Sequence, residues 1–147
     1  MRPIAFSACA LLITLSAPAH AQRTTVVPMG MSVTATLSPG IKLGDVIYTS
    51  GQLGTKSGSP PDSTIEGQTR QALENVKAVV EAGGSTMANV VKCTVFLVNL
   101  ADFRGMNSVY STFFPKDPPA RSTVVVAALV SASAKLEVEC IAGIPKG

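Results

Sequence analysis

Six consecutive residues, Val124 to Leu129, are all apolar, the pattern of a strand buried on both of its faces. A single layer of helices covers only one of those faces. Two helical stretches are evident in the whole chain, so the second face needs another cover, and a second copy of the chain is the simplest one. Homo-oligomerisation is therefore expected from pattern alone.

The rest of the chain reads as alternating strands and helices. After a polar lead, Gln22 to Thr25, the segment Ile41 to Leu53 has the character of a hairpin, with Gly44-Asp45 turning between Leu43 and Val46-Ile47-Tyr48. The loop Gly54 to Asp62 carries glycine, serine and two prolines and ends it. Ser63-Thr64-Ile65-Glu66 fits a capping box with Ser63 as the cap. Ile65, Ala72, Leu73, Val76, Val79 and Val80 then recur at helical spacing until Gly83-Gly84 supplies a left-handed stop.

Val90 to Val98 reads as a strand with Val91, Cys93, Val95 and Leu97 on one face. A second helix over Leu100 to Phe114 places Phe103, Met106, Tyr110 and Phe113 on one stripe, and Pro115 ends it. Two strands follow, Thr123 to Leu129 and Lys135 to Ile141. In the latter, Leu136, Val138 and Cys140 oppose Lys135, Glu137, Glu139 and Ile141. The order is β-β-α-β-α-β-β, an α+β fold.

Residues 1–21 are set apart from this domain. Arg2, the apolar run Ile4 to Leu15 and Ala19-His20-Ala21 form the three parts of a secretory signal peptide, with cleavage expected before Gln22. The domain is then residues 22–147, periplasmic or secreted, with no membrane association after cleavage. The only histidine, His20, leaves with the leader. Histidine is the usual general base near neutral pH and a frequent metal ligand, so triad hydrolases, histidine-based ribonuclease chemistry and most zinc sites are excluded together.

Twelve basic residues against nine acidic ones, without a basic run and with few aromatics, give no nucleic-acid footprint. Cys93 and Cys140 both lie in apolar strand-like runs, where free cysteine behaves as a small buried hydrophobe. Packing is favoured over a bridge, although an exported compartment permits one.

Five stretches occur in an order and spacing that resemble the RidA/YjgF enamine/imine deaminases: Ile47-Tyr48-Thr49-Ser50-Gly51-Gln52, Gln71-Ala72-Leu73-Glu74-Asn75-Val76-Lys77, Val91 to Leu97, Pro119-Ala120-Arg121-Ser122 and Leu136-Glu137-Val138-Glu139. The resemblance implies a chorismate-mutase-like mixed sheet with two helices on one face, assembled as a homotrimer with clefts between subunits. It implies hydrolysis of small carboxylate-bearing enamines or imines to ketoacid and ammonia, as in 2-iminobutanoate/2-iminopropanoate deaminases, without cofactor or metal.

By the same resemblance Arg121 binds the substrate carboxylate, Glu137 orients the hydrolytic water, and Ser50, Gly51 and Asn107 line the cleft. The chemistry suits these types independently: a guanidinium offers a planar fork to a carboxylate, and a glycine lets backbone approach a ligand closely. Two positions depart from the pattern. Leu37 stands where deaminating members place a tyrosine, and Thr123 where a cysteine is common. The alternative reading is a non-catalytic, small-carboxylate-binding or holdase-like trimer in an exported compartment.

Overall fold

The computed structural model describes residues 22–146; the signal-peptide reading of residues 1–21, with His20, lies outside them. Seven strands form one mixed sheet: β1 (Arg23–Val26), β2 (Gly40–Leu43), β3 (Val46–Thr49), β4 (Gln52–Leu53), β5 (Val90–Leu97), β6 (Ala120–Val125) and β7 (Leu136–Gly143). The spatial order is β1-β2-β3-β7-β5-β6, with β4 also pairing β7. Only β5 and β6 run parallel, the connection between them being α2 (Phe103–Phe113), and α1 (Ile65–Ala82) links β4 to β5. The expected α+β architecture with two helices on one face is present.

The core forms where the helical stripe meets the alternating strands. Ala72, Leu73, Val76 and Val80 of α1 pack with Cys93, Val95 and Leu97 of β5, Leu136, Val138 and Cys140 of β7, and Met106 and Tyr110 of α2. Gly105 sits where α2 crosses α1: a Cβ there would meet Ile65 and Glu66 at 2.6 and 2.5 Å. The helix stops at Gly84, whose φ of +91° is the left-handed turn expected of a terminal glycine.

Several expectations are corrected. The cap of α1 is Thr64, one residue beyond Ser63: its hydroxyl accepts the Gly67 amide at 3.0 Å and donates to Asp62 Oδ1 at 2.6 Å. The polar lead is not a tail, because β1 pairs with β2 over Arg23 to Val26; an edge strand with its first three residues exposed carries no apolar alternation to announce it. Val91 is exposed because the ladder slips between Val90 and Lys92, so Val90 takes the buried place.

The apolar run begins its strand earlier than expected, at Ala120, and pairing ends at Val125. Within one chain it is not buried on both sides. It forms an edge paired only to β5, with Val124 and Val125 44% and 50% exposed.

The cysteines are bonded to each other rather than free: Cys93 and Cys140 are direct register partners on β5 and β7 and form a disulfide. Local alternation placed each on the core face but could not show that β5 and β7 are neighbours. The Cys140 amide turns away from β5 and donates to Thr49 Oγ1 at 2.9 Å.

Candidate functional site

The residues singled out from sequence fall into two groups, and the sheet separates them. The first forms around the break between β3 and β4. Ser50 lies in that break, its amide bonded to the Pro39 carbonyl at 2.9 Å and its hydroxyl donating to the Ser38 carbonyl at 2.6 Å. The buried Gln52 donates to the Ser50 carbonyl at 3.0 Å. These bonds fix Gly51, against which the side chain of Glu137 lies so closely that a Cβ at residue 51 would overlap a carboxylate oxygen. Any larger residue here would make the Glu137 carboxylate shift, so the glycine leaves the acid its present place before any ligand is considered.

Glu137 pairs with Leu53 on one side and Phe96 on the other. It therefore projects from the face opposite Leu136 and Val138, the face that carries no helix. Leu37 belongs to the same neighbourhood through the chain: its amide is bonded to Thr34 Oγ1 at 3.1 Å, it precedes the Ser38 carbonyl that Ser50 holds, and it is exposed.

The second group gathers on the helix side. Arg121 is the register partner of Cys93 on β5, so its side chain leaves the sheet on the face where α2 packs. Its guanidinium carbon lies 4.5 Å from the centroid of the Tyr110 ring and 6.0 Å from that of Phe103, and Nη1 approaches Met106 Sδ at 4.0 Å. Among the described residues the one salt bridge joins Lys146 to Asp45 on the surface, at 3.2 Å; Arg121 and Glu137 have none. Arg121, Asn107, Tyr110, Phe114, Pro118 and Pro119 are among the residues lining an open cavity of about 450 Å³.

Tyr110 is nearly fully buried, and its hydroxyl has no hydrogen-bond partner among the described residues. Burial pushes its phenol up to about 12, against the opposing charge of Arg121, so the ring is neutral at any ordinary pH. Thr123, at the position where a cysteine is common, also has a buried hydroxyl without a partner.

The structure thus brings Ser50, Gly51 and Glu137 together, and Arg121 and Asn107 together, but the two sets face opposite sides of one sheet. Sequence reasoning missed Tyr110, Met106 and Phe103 as neighbours of Arg121. They were legible only as an apolar stripe on a helix, which reads as core. It also missed Asn75, whose amide holds the Leu53 and Thr55 carbonyls at 3.0 and 2.9 Å and so fixes the strand opposite Glu137. Gln68 was missed too: buried, it donates to the Asp62 and Ser133 carbonyls and accepts from the Lys135 amide, tying the loop before β7 to α1.

A mixed sheet backed by two helices makes this a small α+β protein, with Arg121 on the helix-covered face and Glu137 on the other. The chain belongs to the RidA/YjgF family, its residues 29–144 matching the family model described as Endoribonuclease L-PSP. It is 44% identical over 108 residues to the 2-iminobutanoate/2-iminopropanoate deaminase of Escherichia coli K12, covering 70% of this chain and 83% of that one. To the chloroplastic Reactive Intermediate Deaminase A of Arabidopsis thaliana it is 42% identical over 107 residues, 71% of this chain but only 57% of the longer plant protein.

Among solved structures, the YjgF gene product of E. coli superposes with a TM-score of 0.76 at 37% identity, covering 82% of this chain and 98% of that one. E. coli TdcF with bound serine gives 0.72 at 36% identity, covering 86% and 98%.

Proposed function

We propose that the protein hydrolyses small carboxylate-bearing enamines or imines to ketoacid and ammonia, in a homotrimer whose clefts bring Arg121 of one copy to Glu137 of the next. The observation that carries this reading is the opposition of the two groups. Arg121 has no anionic partner among the described residues, and Glu137 lies across the sheet from it. A ligand small enough to touch both must therefore sit between copies. The exposed valines of β6 and the helix-free face of the sheet are the surfaces such an assembly would cover.

The chemistry asks little of the protein. Arg121 holds the substrate carboxylate by its planar fork, with Asn107 beside it, while Glu137 takes a proton from water as the oxygen adds to the imine carbon. Glu137 returns that proton to the nitrogen, and the carbinolamine so formed collapses as its hydroxyl proton passes the same way, ammonia leaving and a C=O bond standing in place of C=N. An enamine enters the same path once protonated at carbon. Ser50 and Gly51 form the wall against which Glu137 is held, and orientation supplies much of the rate.

The names of the E. coli and Arabidopsis relatives support this activity. The leader-like residues 2–21 support an exported site of action, read directly by whether the protein recovered from the periplasm begins at Gln22. The test of the activity is ammonia release from imines made in situ by an amino-acid oxidase. Wild type is expected to exceed the uncatalysed rate, and Arg121→Ala and Glu137→Gln to fall to it. A wild type at background across aliphatic, aromatic and basic imino acids overturns the reading.

One observation favours a second reading. Leu37, exposed and without a hydroxyl, cannot hydrogen-bond a substrate, and a cleft that binds carboxylates without turning them over would not need it to. That reading predicts carboxylate binding lost in Arg121→Ala and unchanged in Glu137→Gln, with no ammonia released.

A further inference from the structure

We propose that Tyr110 is the positioning residue for Arg121: its ring face supports the guanidinium from one side, with Met106 and Phe103 at the margin, so that the charge is oriented without being neutralised. The inference rests on the reading of Arg121 as a carboxylate anchor and says how that anchor is built.

Arginines in folded proteins are commonly fixed by carboxylates, and a buried ion pair of that kind consumes the donors and the charge. Here, among the described residues, no carboxylate reaches Arg121, and its one polar contact is a thioether sulfur at 4.0 Å. What holds the group is the Tyr110 ring at 4.5 Å, well inside the range of a cation over an aromatic face. A ring face holds the cation without accepting its N–H hydrogens in strong hydrogen bonds, and those are the donors that a carboxylate needs.

The platform is itself rigid. Tyr110 packs on Phe114 with ring centroids 4.8 Å apart, it is anchored in the core cluster, and burial keeps the phenol neutral. The hydroxyl makes no hydrogen bond, so the support comes from the ring. That distinguishes a positioning role from a hydrogen-bonding one and sets the test.

Binding of 2-oxobutanoate to the protein is measured by calorimetry for wild type, Tyr110→Phe, Tyr110→Leu and Arg121→Ala, and the Arg121 side-chain Nε–H resonance is followed by NMR in the first three. Tyr110→Phe is expected to bind within about twofold of wild type, and Tyr110→Leu about tenfold more weakly. The Nε–H resonance is expected to be ring-current shifted in wild type and Tyr110→Phe and to move toward an ordinary value in Tyr110→Leu.

An unshifted wild-type resonance overturns the proposal with no variant needed, even should Tyr110→Leu fail to fold. Equal loss in Tyr110→Phe and Tyr110→Leu overturns it in favour of the hydroxyl. Should Arg121→Ala bind as tightly as wild type while the shift is present, the support exists but the anchor reading beneath it falls, and the proposal falls with it.

Discussion

Glu137 and Arg121 are seated in opposite ways. The carboxylate rests against backbone: Gly51 has no side chain to push it off, and Ser50, Gln52 and Asn75 fix that backbone by hydrogen bonds. The guanidinium rests on soft surfaces, a ring face and a sulfur, on the edge strand β6. A group that must hold a water within reach of one carbon needs a fixed position. A group that must attract an anion needs its charge left unpaired. On the roles proposed above, the difference between the seats matches the difference between those two demands.

Both seats hang on the β5–β7 pair, which the disulfide joins at its centre. The largest expected effect is therefore its removal. Closing a loop of 47 residues is worth about 4 kcal/mol in loop-closure entropy, so Cys93→Ala/Cys140→Ala is expected to lose that much in a urea titration. Since Arg121 flanks Cys93 and Glu137 lies three residues from Cys140, both functions should weaken together. Loss of one alone would show that the seats do not share this support.

Next in size is Gly51→Ala, which separates the seats. The added methyl overlaps the Glu137 carboxylate, and turnover is expected to fall at least about a hundredfold, as for loss of a general base. Binding of 2-oxobutanoate through Arg121 should stay within about threefold. Retained turnover would mean that Glu137 is free to move and that its backbone seat does not matter.

Arg121→Lys probes the softer seat and costs less. An ammonium cannot offer the bidentate fork and gains less from the ring, so binding is expected to weaken about tenfold, the equivalent of one charge-assisted hydrogen bond. The turnover of bound substrate should change less than its KM. A fall confined to turnover would place Arg121 at the reacting carbon instead of at the carboxylate.

What the sequence made legible was whatever local periodicity controls. The stripe of α1, the buried face of β7, that of β5 from Cys93 onward and the turn at Gly44 are where spacing puts them. The features it concealed depend on which strands become neighbours. The disulfide needs β5 beside β7, and the opposition of Arg121 and Glu137 needs the register of β6 on β5. The strand expected from Thr123 left Arg121 outside it, whereas it is the second residue of an edge strand. The five short stretches did carry the family, and alternation along β7 did put Glu137 opposite Leu136 and Val138, but nothing local gave the face on which Arg121 stands.

The smallest expected effect lies away from both seats, where Asp62 meets the start of α1. Hydrogen bonds from the Thr64 hydroxyl and then its amide hold the Asp62 carboxyl below its ordinary value, and the helix dipole favours the same charge. A carboxyl lowered on folding adds stability above its unfolded pKa, about 3.9, and that contribution disappears as pH falls through the folded value. Wild type should therefore lose a small part of its thermal stability between about pH 4 and the folded value that Asp62→Asn does not lose. The two proteins should converge in acid, with turnover at neutral pH the same in both. A difference that persisted in acid would mean that Asp62 acts through packing on Gly67, whose missing Cβ leaves room for the carboxyl, and that its charge contributes nothing.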